Sequence, residues 1–372
     1  MRIGVPKEIK TLEYRVGLVP SSVKELTARG VEVMIESGAG AQINFSDADY
    51  EAAGAKIVAS AQDIFSQSDM VIKVKEPQEH EWKMLRQGQV LFTYLHLAAD
   101  PAQARGLMDS GCVAIAYETV TGNDGHGLPL LEPMSEIAGR LSVQVGAHYL
   151  QKHMGGLGRL IGGVPGVKPA EVLILGGGVS GFHAAQMATG LGANVTILEK
   201  SNARMRYLDD YFHGRANIIY SNLDVLERAI KTADLIIGAV LIPGASAPKL
   251  IRKDMLSTMK TGAVMVDIAI DQGGCFETSH ATTHDNPVYT VDGVVHYCVA
   301  NMPGAVPLTS ALALNHSVLP YVLKLVEHGW QKALGDNPNF LKGLNICNGK
   351  VANQAVAQAL GLEFIDPASF LN

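Results

Sequence analysis

The chain has 372 residues, 47% of them hydrophobic, with 30 basic against 36 acidic side chains and a formal net charge of −6. That length exceeds what one hydrophobic core usually sustains, so two domains are expected, and an acidic balance with no basic block excludes the electrostatic footprint of a nucleic-acid binder. Charges interrupt every apolar stretch before it could span a bilayer, and the opening MRIGVPKEIK has no signal-peptide core, so the expectation is a cytoplasmic protein with no membrane partner.

In the first 120 residues, short apolar runs read as strands at Ile3–Val5, Val31–Ile35, Ile57–Val58, Met70–Val74, Val90–Tyr94 and Val113–Tyr117. Helical patterns fall between them, such as Ser22–Ala28, closed by Gly30, and Pro101–Met108. Such alternation predicts a parallel α/β sheet. Arg15 lies in the loop after the first strand, Lys75 ends the strand MVIKVK and His96 ends VLFTYLH. Singly these read as a surface charge, a solvated strand end and a loop histidine. Together, at equivalent ends of separate strands, they mark a substrate crevice, because open α/β sheets bind ligands beyond the carboxyl ends of their strands. Cys112, the first of four cysteines with Cys275, Cys298 and Cys347, is far from the others; with no CxxC pair, a disulfide framework or structural zinc is not expected.

Thr121–Pro129 (TGNDGHGLP) is a turn-rich break, and Pro133–Met154 then reads as a long bridging helix with an apolar stripe of Ile137, Leu141, Val145 and Tyr149. Ser135 near its start is a candidate nucleotide contact. The run Val172–Leu175 ends in Gly176, and Gly178, Val179 and Gly181 complete a GxGxxG pattern that opens a helix carrying Ala184, Ala185 and Ala188. A second apolar run, Val195–Leu198, stops on Glu199. Strand, glycines, helix, strand and terminal acid form the dinucleotide-binding fingerprint: the glycines admit a pyrophosphate to the helix N-terminus, and the acid accepts hydrogen bonds from a ribose diol. A carboxylate repels a 2′-phosphate, so Glu199 favours NAD over NADP; Arg204, close behind, is placed to touch the adenosine side.

Further strands are expected at Ile218–Tyr220, Leu235–Val240, Val264–Ile270, Val288–Val291 and Val294–Val299, giving six or so parallel strands with helices between. Their ends put Ser221, Val240 and Leu241, Ile268 to Asp271, and Val299 with Asn301 and Met302 on the cofactor crevice. From Pro307 the pattern returns to helix, through SALALNHSVLPYVLKLVEHGW and then Gly349–Leu360, which packs back on the first domain. The expected fold is therefore α/β, with two Rossmann-like, doubly wound parallel-sheet domains joined by long helices: residues 1–129 with 307–372 for substrate, and 130–306 for the nucleotide.

The strings GVPKEIKTLEYRVGLVP, VIKVKEP, LFTYLHLA, EPMSEIAGR, VDIAIDQGGCFE and ANMPGAVP carry a more specific signal than the glycines. Through them the chain resembles the NAD-dependent alanine dehydrogenase family along its whole length, and the related transhydrogenase nucleotide-binding subunit shares parts of this framework. The resemblance implies reversible oxidative deamination of L-alanine to pyruvate and ammonium. It implies that Arg15 and Lys75 bind the substrate, that His96 and Asp271 are catalytic, and that Asn301 and Met302 stand at the nicotinamide end. It also implies a homohexamer in the cytoplasm. These roles fit the side chains: a guanidinium takes both carboxylate oxygens at once, an ammonium polarises a keto oxygen, and an imidazole moves protons near neutral pH. Asp267 competes with Asp271 for the carboxylate role. Where the family often has aspartate this chain has Glu199, which leaves the ribose geometry open. Glu327 and His328 are adjacent rather than three or four apart, with Lys324 a turn earlier, so no required metal is expected. Two other readings stay open: a dehydrogenase of another small amino or 2-oxo acid, and an NAD(H)-binding subunit of a membrane transhydrogenase.

Overall fold

The computed structural model describes residues 1–240 and 248–371. The chain divides into two compact units, Met1–Met134 with Val306–Asn372, and Ser135–Ala305. The first boundary falls inside the helix Glu132–Tyr149.

The first unit is built on an eight-stranded sheet. From one edge its strands are Lys56–Val58, Glu32–Glu36, Arg2–Val5, Met70–Ile72, Val90–Thr93 and Val113–Ala116, all parallel. Leu344–Cys347 and Lys350–Val351 then extend the sheet antiparallel. Numbered along the chain, the parallel strands run 3-2-1-4-5-6, so the winding reverses between Arg2–Val5 and Met70–Ile72. Every residue of Met70–Ile72, Val90–Thr93 and Val113–Ala116 is buried, as expected of central strands covered on both faces.

The second unit repeats that plan. Ala216–Tyr220, Asn194–Glu199, Glu171–Leu175, Leu235–Gly238, Val264–Asp267 and Val294–Tyr297 are parallel and again run 3-2-1-4-5-6, with Val288–Val291 added antiparallel at the edge. Two doubly wound α/β units are thus observed, as the alternation of elements predicts.

Three local expectations are corrected. Val288–Val291 is not a parallel strand but half of a hairpin with Val294–Tyr297, turned by Asp292 (φ 49) and Gly293 (φ 80). The helix expected over Gly349–Leu360 begins only at Gln354, capped by Asn353, whose side-chain oxygen accepts the Val356 N–H at 3.1 Å. Before it, Asn348 (φ 49) and Gly349 (φ 78) turn a second hairpin between Leu344–Cys347 and Lys350–Val351. Asp-Gly and Asn-Gly favour a two-residue turn with φ positive at both positions, whose twist matches that of the flanking strands. The third correction is the helix read to Met154, which ends at Tyr149; a Cβ on Gly156 would lie 2.1 Å from the Tyr149 carbonyl oxygen, so only glycine lets the chain double back there. Among the described residues no helix is long and apolar enough to cross a membrane.

Candidate active site and nucleotide site

In the first unit Arg15 follows the strand Arg2–Val5, while Lys75 and His96 each lie three residues past the strands Met70–Ile72 and Val90–Thr93, which end sooner than the apolar runs suggest. These three strands are neighbours, and the winding reverses between the first two. Arg15 is only 2% exposed, and its charge is matched by an equally buried carboxylate. Nε donates to Glu13 Oε1 and Nη2 to Glu13 Oε2, both at 2.6 Å, and the Arg15 backbone N–H reaches Oε1 at 3.1 Å. Nη1 lies 3.1 Å from the Met134 sulfur. Burial works to lower the guanidinium pKa, but the hydrogen bonds and charge of Glu13 outweigh it and hold it above the ordinary value.

Lys75 is half-buried. Its carbonyl accepts the Thr93 hydroxyl at 3.0 Å, and its N–H faces Glu8 Oε1 at 3.4 Å. Two residues earlier, fully buried Lys73 lies between Glu8 (3.2 Å) and Glu81 (2.7 Å), and Glu8 also accepts the Val74 N–H at 2.7 Å. Burial opposes the charge on Lys73, yet the two carboxylates raise its pKa; burial and the like charges of Glu81 and Glu13 push Glu8 upward, against the pull of Lys73.

His96 sits in the left-handed region (φ 52), stacked on Tyr94 with ring centroids 5.8 Å apart. Its backbone N–H donates to Glu118 Oε1 at 2.6 Å, and that oxygen lies 4.0 Å from Nδ1, so Glu118 anchors the turn while the imidazole remains exposed. A cavity of about 310 Å³ lies along residues 7–15 with Ala39 and Gln42; it includes Arg15 but neither Lys75 nor His96. Glu8, Glu13, Lys73, Glu81 and Glu118 escape a reading of the sequence, since burial of a loop charge leaves no local pattern. The signals at hand are the acid two residues before Arg15 and the lysine two residues before Lys75.

In the second unit the three glycines of the motif have separate roles. Gly176 is left-handed (φ 92) where the strand Glu171–Leu175 ends. A Cβ on Gly181 would lie 1.8 Å from the Gly176 carbonyl oxygen, so this glycine lets the helix Val179–Gly190 close onto the strand. Gly178, the residue before Val179, would point a Cβ into open space, the side from which a phosphate can approach the helix N-terminus. Ser135 belongs to a helix that meets this turn backbone to backbone: a Cβ on Gly139 would lie 2.2 Å from the Ser180 carbonyl oxygen.

Glu199 is held by backbone donors, with Gly177 N–H at 2.8 Å on one oxygen and Lys200 and Ser201 N–H at 2.7 and 2.8 Å on the other. The carboxylate is fixed beside the glycine turn, and the oxygen facing Gly177 retains one acceptor site. Arg204 reaches back to the Gly177 carbonyl (2.5 Å) and lies over the Tyr207 ring at 4.6 Å; burial lowers its pKa. The Ser221 N–H donates to the Glu199 carbonyl at 2.9 Å. Val240 borders the first glycine, its methyl 2.9 Å from where a Gly176 Cβ would be, whereas Leu241 lies outside the described residues.

After the strand Val264–Asp267 the two candidate aspartates differ. Asp267 is fully buried, accepting the Ala269 N–H (3.1 Å), the Cys275 N–H (2.8 Å) and the Ser279 hydroxyl (2.5 Å). Asp271 is exposed in the 3₁₀ turn Ile268–Gln272 that Asp267 caps, with Ile268 half-buried at its start. Asp267 is spent on shape, and Asp271 is the one of the two left exposed. Beyond the last parallel strand, Val299 and Met302 are buried, and Asn301 (φ 63) has its carbonyl 3.2 Å from His284 Nε2. Among the described residues no cluster of three or more His, Cys, Asp or Glu could hold a metal ion.

Residues 4–138 match the family description "Alanine dehydrogenase/PNT, N-terminal domain" and residues 142–354 match "Alanine dehydrogenase/PNT, C-terminal domain". The chain is 57% identical to an alanine dehydrogenase of Halomonas elongata over the full length of both proteins. A solved L-alanine dehydrogenase, 53% identical, superimposes with a TM-score of 0.94 over 97% of this chain and 99% of its own. A transhydrogenase structure from Sinorhizobium meliloti shares the fold at 24% identity, with a TM-score of 0.82 over 94% of this chain and all of its own. With both of its halves matched and relatives of this closeness along its whole length, the chain belongs to the alanine dehydrogenase/PNT family.

Proposed function

We propose that the protein catalyses reversible oxidative deamination of L-alanine to pyruvate and ammonium, with NAD as hydride acceptor. The observation that carries this reading is that Arg15, Lys75 and His96 follow three neighbouring strands at the reversal point of one sheet, in a family whose relatives are named alanine dehydrogenases. The overall conversion takes alanine, NAD⁺ and water to pyruvate, ammonium, NADH and a proton. The nucleotide, when bound, takes the hydride.

Arg15 presents a rigid fork to the substrate carboxylate, which fixes which face of Cα is offered. Lys75 polarises the substrate oxygen in the direction of pyruvate reduction. His96, on an exposed turn anchored by Glu118, takes a proton from water as water adds to the iminium carbon left by hydride loss, and returns it as ammonia departs. Asp271 offsets the positive charge of that iminium. On the nucleotide side, Gly178 and the start of the helix at Val179 receive the pyrophosphate, and Ser135, Gly176, Gly181, Arg204, Ser221, Val240, Leu241, Ile268, Val299, Asn301 and Met302 complete the surroundings. The fixed Glu199 carboxylate supports NAD over NADP by repelling a 2′-phosphate. Residues 1–129 with 307–372 serve the substrate, residues 130–306 serve the nucleotide, and the working form is a homohexamer.

Purified protein supplied with NAD and alanine should form NADH, faster than with NADP and faster than with serine or glycine. His96→Ala should lower kcat about 10²–10⁴-fold while leaving NADH affinity unchanged. Hydride exchange between nucleotides without turnover of any amino acid would replace this reading with the transhydrogenase one.

A further inference from the structure

A fork that must receive a carboxylate works best if its plane is set beforehand, since ordering a long side chain during binding lowers affinity. Glu13 holds Arg15 at several atoms. Its two oxygens take Nε and Nη2 at 2.6 Å, and one of them also takes the Arg15 backbone N–H at 3.1 Å, so a single carboxylate fixes both ends of the arginine. The two side chains are 0% and 2% exposed. A buried ion pair adds little to stability compared with well-packed apolar side chains, so its value here lies in orientation. The side edge of the guanidinium faces Glu13, while Nη1 lies 3.1 Å from the Met134 sulfur, so Glu13 sets the plane of the fork.

We propose that Glu13 is a positioning residue that fixes the plane and direction of the Arg15 guanidinium for the substrate carboxylate. This rests on the reading of Arg15 as a substrate-binding residue. The isosteric Glu13→Gln keeps the volume but turns an amide N–H₂ toward an arginine N–H, donor against donor. Glu13→Asp keeps both oxygens and the charge on a shorter stem. Packing alone would make the glutamine variant the milder one; orientation of the fork makes it the more severe.

The test uses the intact protein with pyruvate, ammonium and NADH. It measures pyruvate KM, kcat, NADH Kd and the melting midpoint for Glu13→Gln, Glu13→Asp, Arg15→Lys and the Glu13→Gln/Arg15→Lys double variant. Glu13→Gln should raise pyruvate KM at least tenfold, with NADH Kd within twofold of the parent and a smaller change in kcat. Glu13→Asp should recover part of that loss, and Glu13→Gln should add less than twofold on top of Arg15→Lys. A parental KM in Glu13→Gln alongside an impaired Arg15→Lys overturns the proposal and leaves the substrate reading standing. A parental KM in Arg15→Lys overturns the substrate reading itself. A glutamine variant milder than the aspartate variant overturns the proposal in favour of packing. Should Glu13→Gln fail to fold, Glu13→Asp carries the test, and a parental pyruvate KM there overturns the proposal.

Discussion

The two units share one strand order and differ in how the chain leaves the first strand. In the unit Ser135–Ala305, Gly176, Gly177 and Gly178 alone separate the strand Glu171–Leu175 from its helix. In the other unit, residues 6–19 separate the strand Arg2–Val5 from the helix Pro20–Thr27. The short turn offers backbone N–H groups and bare space; the long loop offers charged side chains, of which Glu8 and Arg15 are each tied to a buried partner. The difference teaches that the reversal point of a 3-2-1-4-5-6 sheet is chemically neutral, and that its first loop sets which groups are presented there. A pyrophosphate is large and highly charged enough to be held by backbone alone. A three-carbon acid carries one carboxylate and needs a directed cation, and a cation buried in a loop needs a counter-charge.

The largest effect expected from breaking this comparison is in the charged loop. Lys73→Met leaves Glu8 and Glu81 buried without their shared ammonium and should destabilise the first unit by about 3–5 kcal/mol, read as a lower calorimetric transition. A loss below about 1 kcal/mol would mean that these charges are not structural. Next come the glycines. Gly181→Ala sets a methyl 1.8 Å from a backbone oxygen and should lower the stability of the second unit by about 1–3 kcal/mol, with nucleotide binding falling in step. Gly178→Ala meets no protein atom within 4 Å; the melting midpoint should stay put while NADH Kd rises about tenfold, or ~1.4 kcal/mol. Equal melting shifts in the two variants would show that the motif has no ligand-facing position.

The smallest effect is one of pH. His296 is fully buried, with Nδ1 3.0 Å from the Val294 carbonyl and Nε2 2.8 Å from the Thr278 hydroxyl. Burial lowers its pKa, with a further contribution from His280. A lowered pKa in the fold means that the unfolded chain binds the proton more tightly. The stability it contributes is therefore complete above the unfolded value of about 6.5 and is lost as pH falls through the folded one. His296→Phe should flatten that decline by about 1 kcal/mol between pH 7 and 5 in urea titrations; an unchanged slope would assign the acid sensitivity elsewhere.

Particular residues show how far each level reaches. The strands and the glycine motif were legible because apolar periodicity and glycine spacing are local. The hairpins at Asp292-Gly293 and Asn348-Gly349 have local turn signals, but the apolar runs beside them carry the pattern of parallel strands and helix as well. Lys75 and His96 stand at the ends of apolar runs, whereas the ladders stop at Ile72 and Thr93. There backbone oxygens and amides turn instead to Thr93, Glu8 and Glu118, partners distant in sequence. Between Asp267 and Asp271 the sequence leaves a choice, because which carboxylate is buried depends on Ser279 and Cys275 folding over it.

By itself the sequence determined the class of each unit, the place of the nucleotide motif and the family, since these follow from period, spacing and long matching strings. Only the tertiary structure decided which charges are spent inside the protein. Glu13, Glu8, Lys73 and Glu81 are ordinary loop and helix residues in one dimension and become an ionic framework only when folding removes the water that would otherwise solvate them.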